Sequence, residues 1–236
     1  MAEEFEGRDL SDAVFWGVDL SRATFRDVNL TGASISHAWV VNVDIDALVD
    51  HVTINGVDVT QYVNERDVWY PLRAMLRPAD PEGLRAARGA LEQTWSSTID
   101  RARKLSDAQR LERVNDEWSF VETLRHLVFA MDKWFTVPIL SGDFAPIGMP
   151  NSGSVNFGWP GLDFDADPTF DDVLAVRADR AEQLRDYLAR LTPTDLEGTV
   201  DVLENGTVPV IECFYTVFEE EFEHNRYATR DLAHFD

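Results

Sequence analysis

Large apolar residues recur at every fifth position in the first part of the chain. The series is Phe5, Leu10, Phe15, Leu20, Phe25, Leu30, Ile35, Val40 and Ile45. A small residue often stands two positions earlier, as at Ala13 and Ala23, and polar residues flank the centres. A period of five fits neither an α-helix nor a β-strand. It predicts a coil with four sides, in which each pentad forms one side and each apolar centre points to the axis.

The repeated pattern, as in SRATF RDVNL TGASI, resembles the pentapeptide-repeat family. The resemblance implies a right-handed quadrilateral β-helix of about three coils, which needs a cap at its end. We expect the register to slip by one after Ile45 and the repeats to continue through Ile54 to Val59. The first predicted domain is therefore residues 1–62, and the segment after Val59 would cover the last coil.

The apolar period becomes helical in the second predicted domain, residues 66–236. Asp80 is a candidate N-cap and Pro81 a candidate first residue of a helix that begins DPEGL. A second helix, DEWSFVETLRHLVFAMDKWFTVPIL, stops at Pro138 in this interpretation, and a third begins near Thr169. The fourth runs from VPVIECF almost to the last residue. Four long helices in succession predict a four-helix bundle.

The segment between the second and third helices, residues 138–168, is rich in Gly, Pro and aromatic residues. Loops of this length in a compact domain are usually lids, crossovers or disordered segments. Aromatic residues such as Phe144 and Trp159 favour a packed crossover.

Acidic residues outnumber basic ones by 43 to 21, which gives a net charge of -22. This charge argues against direct binding to nucleic acid or anionic lipid, although an acidic surface could imitate DNA. The single cysteine, Cys213, excludes an intrachain disulfide framework, and MAEEFEGRDL has no signal-peptide features. No apolar run reaches the roughly 18 residues of a membrane-spanning helix. We therefore expect a cytoplasmic protein without a membrane segment.

The last predicted helix places Glu220 and His224 one turn apart, on the face that carries Cys213 and Val217. Polar groups on a core-facing stripe cost free energy unless they are paired or ligated. A metal ion would satisfy both, with a third ligand from another helix, for which His126 is the remaining histidine candidate. The alternatives are a structural histidine and a solvated acidic face with Glu220 at its edge.

Two segments, EWSFVETLRHLVFAMDKW and EEEFEHNRYATRDL, resemble the second-helix and last-helix signatures of the DinB superfamily. The branch concerned is close to mycothiol-dependent maleylpyruvate isomerase, and the resemblance spans roughly residues 66–236. It implies a four-helix bundle that holds a divalent metal, often zinc or nickel, with three histidines. By position, His126 matches the first histidine and His224 the last, whereas Glu220 stands where the remaining histidine would be. This ligand set suits zinc and, with open positions, ferrous iron.

The resemblance also implies an activity, a low-molecular-weight-thiol S-transferase or isomerase. Its partners would be a small thiol such as mycothiol or bacillithiol and an electrophile. No residue is assigned a catalytic role. Tyr227 and Arg230 could orient a substrate, although a core role and a surface ion pair are their simpler interpretations. A metal-dependent hydrolase is an alternative, with Glu223 as base only if it faced inward. Cys213 is interpreted as a small buried hydrophobe in preference to a nucleophile.

A non-catalytic binding protein is the other class of function that the sequence allows. Some pentapeptide-repeat proteins resemble DNA in shape and charge and bind topoisomerases. Three coils make only a short rod, however, and the acidity is spread over both predicted domains. The repeats are therefore predicted to mediate homodimerisation or another protein interaction in preference to DNA mimicry.

Overall fold

The computed structural model describes residues 4–5, 8–25, 28–151 and 157–236. The chain divides into two compact units, Met1–Asp46 and Ala47–Asp236. The predicted boundary between the two domains lies at residues 62–66. Residues 47–62, which the prediction places in the first domain, therefore lie in the second unit.

The first unit repeats its backbone conformation every five residues. Left-handed φ angles between 54° and 76° occur two positions after the apolar centres, at Asp12, Gly17, Arg22, Gly32, His37 and Asn42. The side chains of Asp9 and Asp19 accept hydrogen bonds from the backbone N–H groups of Ser11 and Ser21, both at 2.9 Å. A turn at each pentad therefore accounts for the period of five. That these turns wind into a quadrilateral β-helix stays a prediction.

The first unit is exposed throughout the part that the structure describes. Its least exposed large apolar side chain, Leu10, is 44% accessible, and Trp16 and Trp39 are 89% and 96% accessible. The described side chains with less than a tenth of their surface accessible begin at Arg73, in the second unit. The hydrophobic effect therefore stabilises the second unit far more than the first.

The second unit opens with an antiparallel hairpin of β1 (Thr53–Ile54) and β2 (Val57–Asp58). Asn55 and Gly56 connect the strands with φ angles of 52° and 79°. A two-residue Asn-Gly loop with both φ angles positive is the preferred connection of a tight hairpin. This hairpin takes the place of the pentad predicted around Ile54.

The rest of the second unit is mainly helical. Its α-helices are α1 (Thr60–Asn64), α2 (Tyr70–Arg73), α3 (Pro81–Ala102), α4 (Asp107–Arg110), α5 (Phe120–Met131), α6 (Val137–Leu140), α7 (Phe170–Arg190) and α8 (Val210–Leu232). The paired strands β3 (Thr199–Asp201) and β4 (Thr207–Pro209) lead into α8. Helix α8 packs against α3 and α5, and α7 packs against the same two helices. The predicted helical character is confirmed, whereas a bundle of four helices stays a prediction because shorter helices accompany the long ones.

The core lies between the long helices. Its fully buried side chains include Leu84 of α3, Leu124 and Leu127 of α5, Val173 of α7 and Phe218 of α8. Among the helices that the structure describes, none is long and apolar enough to cross a membrane.

Two of the long helices begin where the sequence predicts. The Asp80 side chain accepts a hydrogen bond from the Gly83 N–H at 2.8 Å, with Pro81 as the first residue of α3. Thr169 and Asp172 form a reciprocal capping box at the start of α7. Each cap satisfies backbone N–H groups that have no partner within the helix.

Helix α5 does not stop at Pro138, as the sequence predicts. It continues through a π-helical turn, Asp132–Thr136, into α6 and ends at Ser141, whose φ is 56°. Proline has no N–H to donate and its ring crowds the preceding turn, and a wider π-helical turn accommodates both effects. The helical segment therefore extends beyond Pro138, where the sequence predicts that it ends.

The crossover that follows is packed, as its aromatic residues indicate. Phe144 and Trp159 lie against Phe129 of α5, with ring centroids 5.6 and 5.2 Å away. The carboxylate of buried Asp132 accepts hydrogen bonds from the Ala145 N–H at 2.7 Å and the Arg180 Nε at 2.6 Å. The π-helical turn therefore holds the crossover and α7 together. Residues 152–156 of the crossover lie outside the described part of the chain.

Candidate metal centre

His126 lies on α5, a helix that is buried on almost every side. The helix begins at a capping box, in which Ser119 Oγ accepts from the Glu122 N–H and Glu122 Oε2 accepts from the Ser119 N–H. His126 itself is 5% exposed. A histidine in such surroundings needs a partner for each ring nitrogen, because an unpaired buried polar atom costs free energy.

Glu220 and His224 lie one turn apart on α8. Helix α3 holds the neighbouring part of α8 through two polar contacts, Trp95 Nε1 to the Glu221 carbonyl and Asn225 Nδ2 to Thr98 Oγ1, both at 3.0 Å. These contacts occupy the side of α8 that faces α3. The side chains of Glu220 and His224 consequently face α5.

The three side chains predicted as ligands converge between α5 and α8. Glu220 Oε2 lies 3.3 Å from His126 Nε2 and 3.3 Å from His224 Nδ1. One candidate ligand atom from each residue falls within 4.8 Å of the others, and the two imidazole centroids are 4.8 Å apart. The three residues predicted from the sequence therefore share one site. Metal binding by this site stays a prediction.

Backbone carbonyls define which nitrogen of each imidazole is available. His126 Nδ1 lies 3.0 Å from the Met149 carbonyl oxygen, and His224 Nδ1 lies 2.9 Å from the Glu220 carbonyl oxygen. Because a carbonyl only accepts, each Nδ1 carries a hydrogen, and each Nε2 keeps a lone pair when the ring is neutral. Histidine ligands in proteins are commonly held by such a contact on the nitrogen opposite the metal. On His224 the nitrogen 3.3 Å from Glu220 Oε2 is this protonated Nδ1, so the Nε2 lone pair is on the side of the ring away from that close contact.

His126 and Glu220 pose a donor–acceptor problem that a cation solves. With Nδ1 protonated and the ring neutral, Nε2 is an acceptor, and the ionised carboxylate at 3.3 Å is an acceptor too. A second proton or a divalent cation between them would satisfy both atoms. The donor set of two imidazoles and one carboxylate therefore fits a metal such as zinc.

The charges around the site favour the protonation states that a metal needs. Burial opposes ionisation of Glu220, yet the hydrogen bond and charge of His126 in its protonated form, with the charge of protonated His224, hold the pKa of that carboxyl below its usual range. Burial and the neighbouring charge of His126 lower the pKa of His224 to about 4. At neutral pH Glu220 is anionic and His224 neutral, the forms in which both bind metals.

Trp118 forms one wall of the site and was not found from the sequence. Its ring centroid lies 4.6 Å from that of His126 and 6.0 Å from that of His224, stacked on the latter. It follows two residues with left-handed backbone, Asn115 and Asp116. Because Trp118 precedes the N-cap Ser119, it lies outside the helical pattern, and no periodicity marks it.

The other acidic residues of α8 are paired with arginines, and Glu219 and Glu223 are 40% and 36% exposed at their side chains. The contacts are Arg77 Nε to Glu219 at 2.6 Å, Arg177 Nη2 to Glu221 at 2.8 Å, and Arg226 Nη1 to Glu223 at 2.8 Å. Arg73 also approaches Glu223, at 4.0 Å. Two arginines thus hold Glu223, which argues against its role as the base of a hydrolase.

The remaining candidates from the sequence have structural partners. Tyr227 lies edge-on to His224 at 6.2 Å, and the Arg230 guanidinium lies over the Tyr227 ring and pairs with Asp231 at 2.7 Å. Arg230 is thus in the ion pair that was its simpler interpretation. Cys213 is buried, and burial raises the pKa of its thiol to about 11, so it is a poor nucleophile.

A surface groove of about 510 Å³ lies beside β1, β2 and α1. Its lining includes Asp50, His51, Asp58, Glu65 and Tyr70, and none of the three candidate ligands. Three of its eight lining residues are acidic, and the metal-ligand geometry seen between α5 and α8 is not found among the residues that line it. We assign it no ligand.

Comparison with known proteins identifies the family of the second unit. The family model of the DinB superfamily matches residues 90–228, more than half of the chain. The chain belongs to the DinB superfamily. The DinB match includes His126, Glu220 and His224, and a second family model, pentapeptide repeats in eight copies, matches residues 9–45. No curated protein and no solved structure matches the chain.

Proposed function

We propose that this DinB protein binds one divalent metal through His126, Glu220 and His224 and is a metal-dependent enzyme. The convergence of three ligand atoms within 4.8 Å, from helices far apart in sequence, carries the proposal. The contacts of both Nδ1 atoms with carbonyls support it, because they leave an Nε2 lone pair on each neutral ring. Zinc and nickel are the expected metals, and iron is a further candidate for this ligand set.

We infer that the reaction is the transfer of a low-molecular-weight thiol, by an S-transferase or isomerase of the mycothiol-dependent kind. A metal with three protein ligands supplies an open position that favours the thiolate form of a bound thiol. Glu220 and His224 are 31% and 17% exposed at their side chains, so a small molecule can reach the site. Trp118 offers an apolar wall for an electrophile. The presence of a single cysteine, which cannot form an intrachain disulfide, fits a reducing cytoplasm, where such thiols occur.

A cobalt-loaded protein tests the thiol directly. Mycothiol should produce a sulfur-to-cobalt charge-transfer band when it is added to the wild-type protein, and the S-methyl derivative of mycothiol should not, because it has no ionisable thiol. His224→Ala, which removes a ligand, should give no band with either compound. Absence of the band with mycothiol and with bacillithiol, in protein that retains cobalt, would reject the thiol reaction and favour the hydrolase alternative.

We also propose that the pentapeptide unit is an interaction module, most simply for a second copy of this chain. The exposure of Trp16 and Trp39 on a unit with little buried surface supports this role. Light scattering should show a dimer for the full chain and a monomer after Trp16→Lys and Trp39→Lys. A monomeric wild type at all concentrations would contradict homodimerisation, and inhibition of gyrase supercoiling by the full chain would favour DNA mimicry.

A further inference from the structure

A short piece of the crossover, residues 145–149, runs along α5 beside His126; we call it the strap. Three hydrogen bonds attach it to two adjacent residues of the helix. The Met149 N–H donates to the Arg125 carbonyl at 3.1 Å, Arg125 Nε donates to the Ile147 carbonyl at 2.9 Å, and His126 Nδ1 donates to the Met149 carbonyl at 3.0 Å. Arg125 therefore binds the strap with both its backbone and its side chain.

Gly148 allows the strap to lie this close to α5. A β-carbon at this position would stand 3.4 Å from the Phe129 Cα, 3.3 Å from the Ala145 carbonyl oxygen and 3.1 Å from Leu162 Cδ2. Only the Phe129 Cα belongs to α5; the Ala145 carbonyl is part of the strap itself, and Leu162 Cδ2 is the end of a side chain. A side chain at residue 148 would consequently crowd the turn between Ala145 and Gly148 and fill the space toward α5, which shifts the end of the strap that carries the Met149 carbonyl.

The beginning of the strap is attached as well. The Ala145 N–H donates to Asp132 Oδ2 at 2.7 Å, and the Pro146 carbonyl accepts from the Asp163 N–H at 2.9 Å. Because the beginning is held in this way, a change at Arg125 or Gly148 would act mainly on the end that carries the Met149 carbonyl.

We propose that Arg125 and Gly148 are positioning residues of the metal centre. They hold the Met149 carbonyl against His126, which keeps Nδ1 protonated and directs the Nε2 lone pair toward Glu220. Without that acceptor, the ring would place its hydrogen on Nε2 and donate it to the Glu220 carboxylate, which blocks the ligand atom. The consequence for metal binding rests on the proposed function, whereas the state of the His126 ring does not.

The expected effect on metal binding follows from the role of outer-shell partners. Loss of the hydrogen bond that orients a histidine ligand typically weakens metal binding about 10- to 100-fold. A purely structural role for Arg125 and Gly148 would lower stability and leave the hydrogen on Nδ1 of His126. The protonation of Nδ1 therefore separates the two roles.

Long-range ¹H–¹⁵N correlation spectra of the imidazole rings, recorded on the metal-free full chain in mildly alkaline buffer, test the proposal. His126→Ala assigns the His126 signals. We expect a protonated Nδ1 in the wild type and an unprotonated Nδ1 in Gly148→Ala and in Arg125→Leu. Arg125→Lys, which retains a donor, should restore part of the wild-type signal. An unprotonated Nδ1 in the wild type, or a protonated Nδ1 in both variants, would overturn the proposal.

Two matched controls accompany these variants. Gly89→Ala changes an exposed glycine of α3 with open space around it, and Arg113→Leu removes an arginine that binds Glu122 of α5 without touching the strap. Both should keep Nδ1 protonated. Circular dichroism establishes that each variant is folded, and Arg125→Leu keeps the test valid if Gly148→Ala does not fold.

Competition with a zinc chelator provides the second readout. Gly148→Ala and Arg125→Leu should bind zinc about 10- to 100-fold more weakly than the wild type. A wild type that binds no zinc but has a protonated Nδ1 would reject the metal centre and leave the strap's effect on His126 intact. An unprotonated Nδ1 together with unchanged zinc affinity would show that the strap determines which nitrogen of His126 is protonated but does not affect zinc binding.

Discussion

Glu220 approaches both histidines through a single carboxylate oxygen, Oε2, at 3.3 Å in each case. Its position one turn before His224 places it beside α5, where the imidazole of His126 enters. The positive charge of Lys133 also stabilises the carboxylate and is one of the causes that keep the pKa of Glu220 low. The anionic side chain is therefore the centre of the polar cluster.

Glu220→Gln tests the charge of that ligand. The amide keeps the size of the side chain and loses the negative charge, so zinc affinity should fall by at least the roughly 10- to 100-fold seen for weaker perturbations of metal sites. Glu220→His, which introduces the third histidine of the pattern that this chain resembles, should retain zinc. Chelator competition measures both, and equal affinities for the wild type and Glu220→Gln would contradict the assignment of Glu220 as a ligand.

Cys213 should be unreactive in the folded protein. Burial raises the pKa of its thiol to about 11, so the thiolate fraction at neutral pH is about 100-fold lower than for a free cysteine. Modification by a chromogenic disulfide should consequently be at least that much slower in the native protein than in urea. Equal rates in both conditions would show that Cys213 is accessible and would reopen its role as a nucleophile.

The sequence predicts candidate ligands better than it predicts their surroundings. His126, Glu220 and His224 follow from helical spacing and from a resemblance. The Met149 carbonyl and Trp118 do not, because a backbone oxygen has no residue signature and Trp118 precedes its helix. The groups that orient the histidine rings can therefore be identified only from the packing of the crossover against α5.

At the scale of elements, Asp132 connects three parts of the fold. Its buried carboxylate holds Arg180 of α7 and the Ala145 N–H of the strap, from within the π-helical turn. The Arg180 side chain is 16% exposed and also pairs with Asp179 at 2.8 Å, so removal of Asp132 leaves Arg180 one ion-pair partner but takes the acceptor from the Ala145 N–H. A buried donor without an acceptor costs more than the loss of a surface ion pair.

Asp132→Ala should therefore lower the free energy of unfolding by about 1–3 kcal/mol. The control is Asp100→Ala, which breaks an exposed pair with Arg103 and should cost at most about 0.5 kcal/mol. Urea denaturation followed by circular dichroism measures both. A cost below about 1 kcal/mol for Asp132→Ala would mean that the π-helical turn does not depend on this contact.

Helix starts were predictable because their caps are encoded by single side chains, as at Asp80 and Thr169. The continuation of α5 past Pro138 was not, because proline favours a helix stop in a local pattern. The Asn55-Gly56 dipeptide is a typical signal of a hairpin turn, but Ile54 also fits the apolar period of five, which predicts a further pentad instead. Local chemistry thus predicted element starts, and tertiary packing decided where one helix ended.

At the scale of the molecule, the two units differ in how they are stabilised. The buried core among the described residues lies entirely in Ala47–Asp236, while the first unit exposes its apolar side chains. The period of five was visible in the sequence because each pentad ends in the same turn. The position of the division after Asp46 was not, because Ile54 continues the apolar spacing inside a hairpin.

Removal of residues 1–46 should leave the second unit folded and able to bind zinc. Because the core and the three candidate ligands are all in the second unit, the melting temperature and zinc affinity should stay close to those of the full chain. Circular dichroism and chelator competition measure them. Loss of the cooperative unfolding transition would show that the second unit depends on the repeats.

The most direct test of the account is the metal content of the purified full chain, measured by inductively coupled plasma mass spectrometry after expression with added zinc or nickel. We predict about one divalent metal per chain, lost in His126→Ala and in His224→Ala. His234→Ala, at the exposed end of the chain, is the matched control and should retain it. A folded wild type without metal, or a metal content unchanged by both ligand variants, would contradict the metal centre.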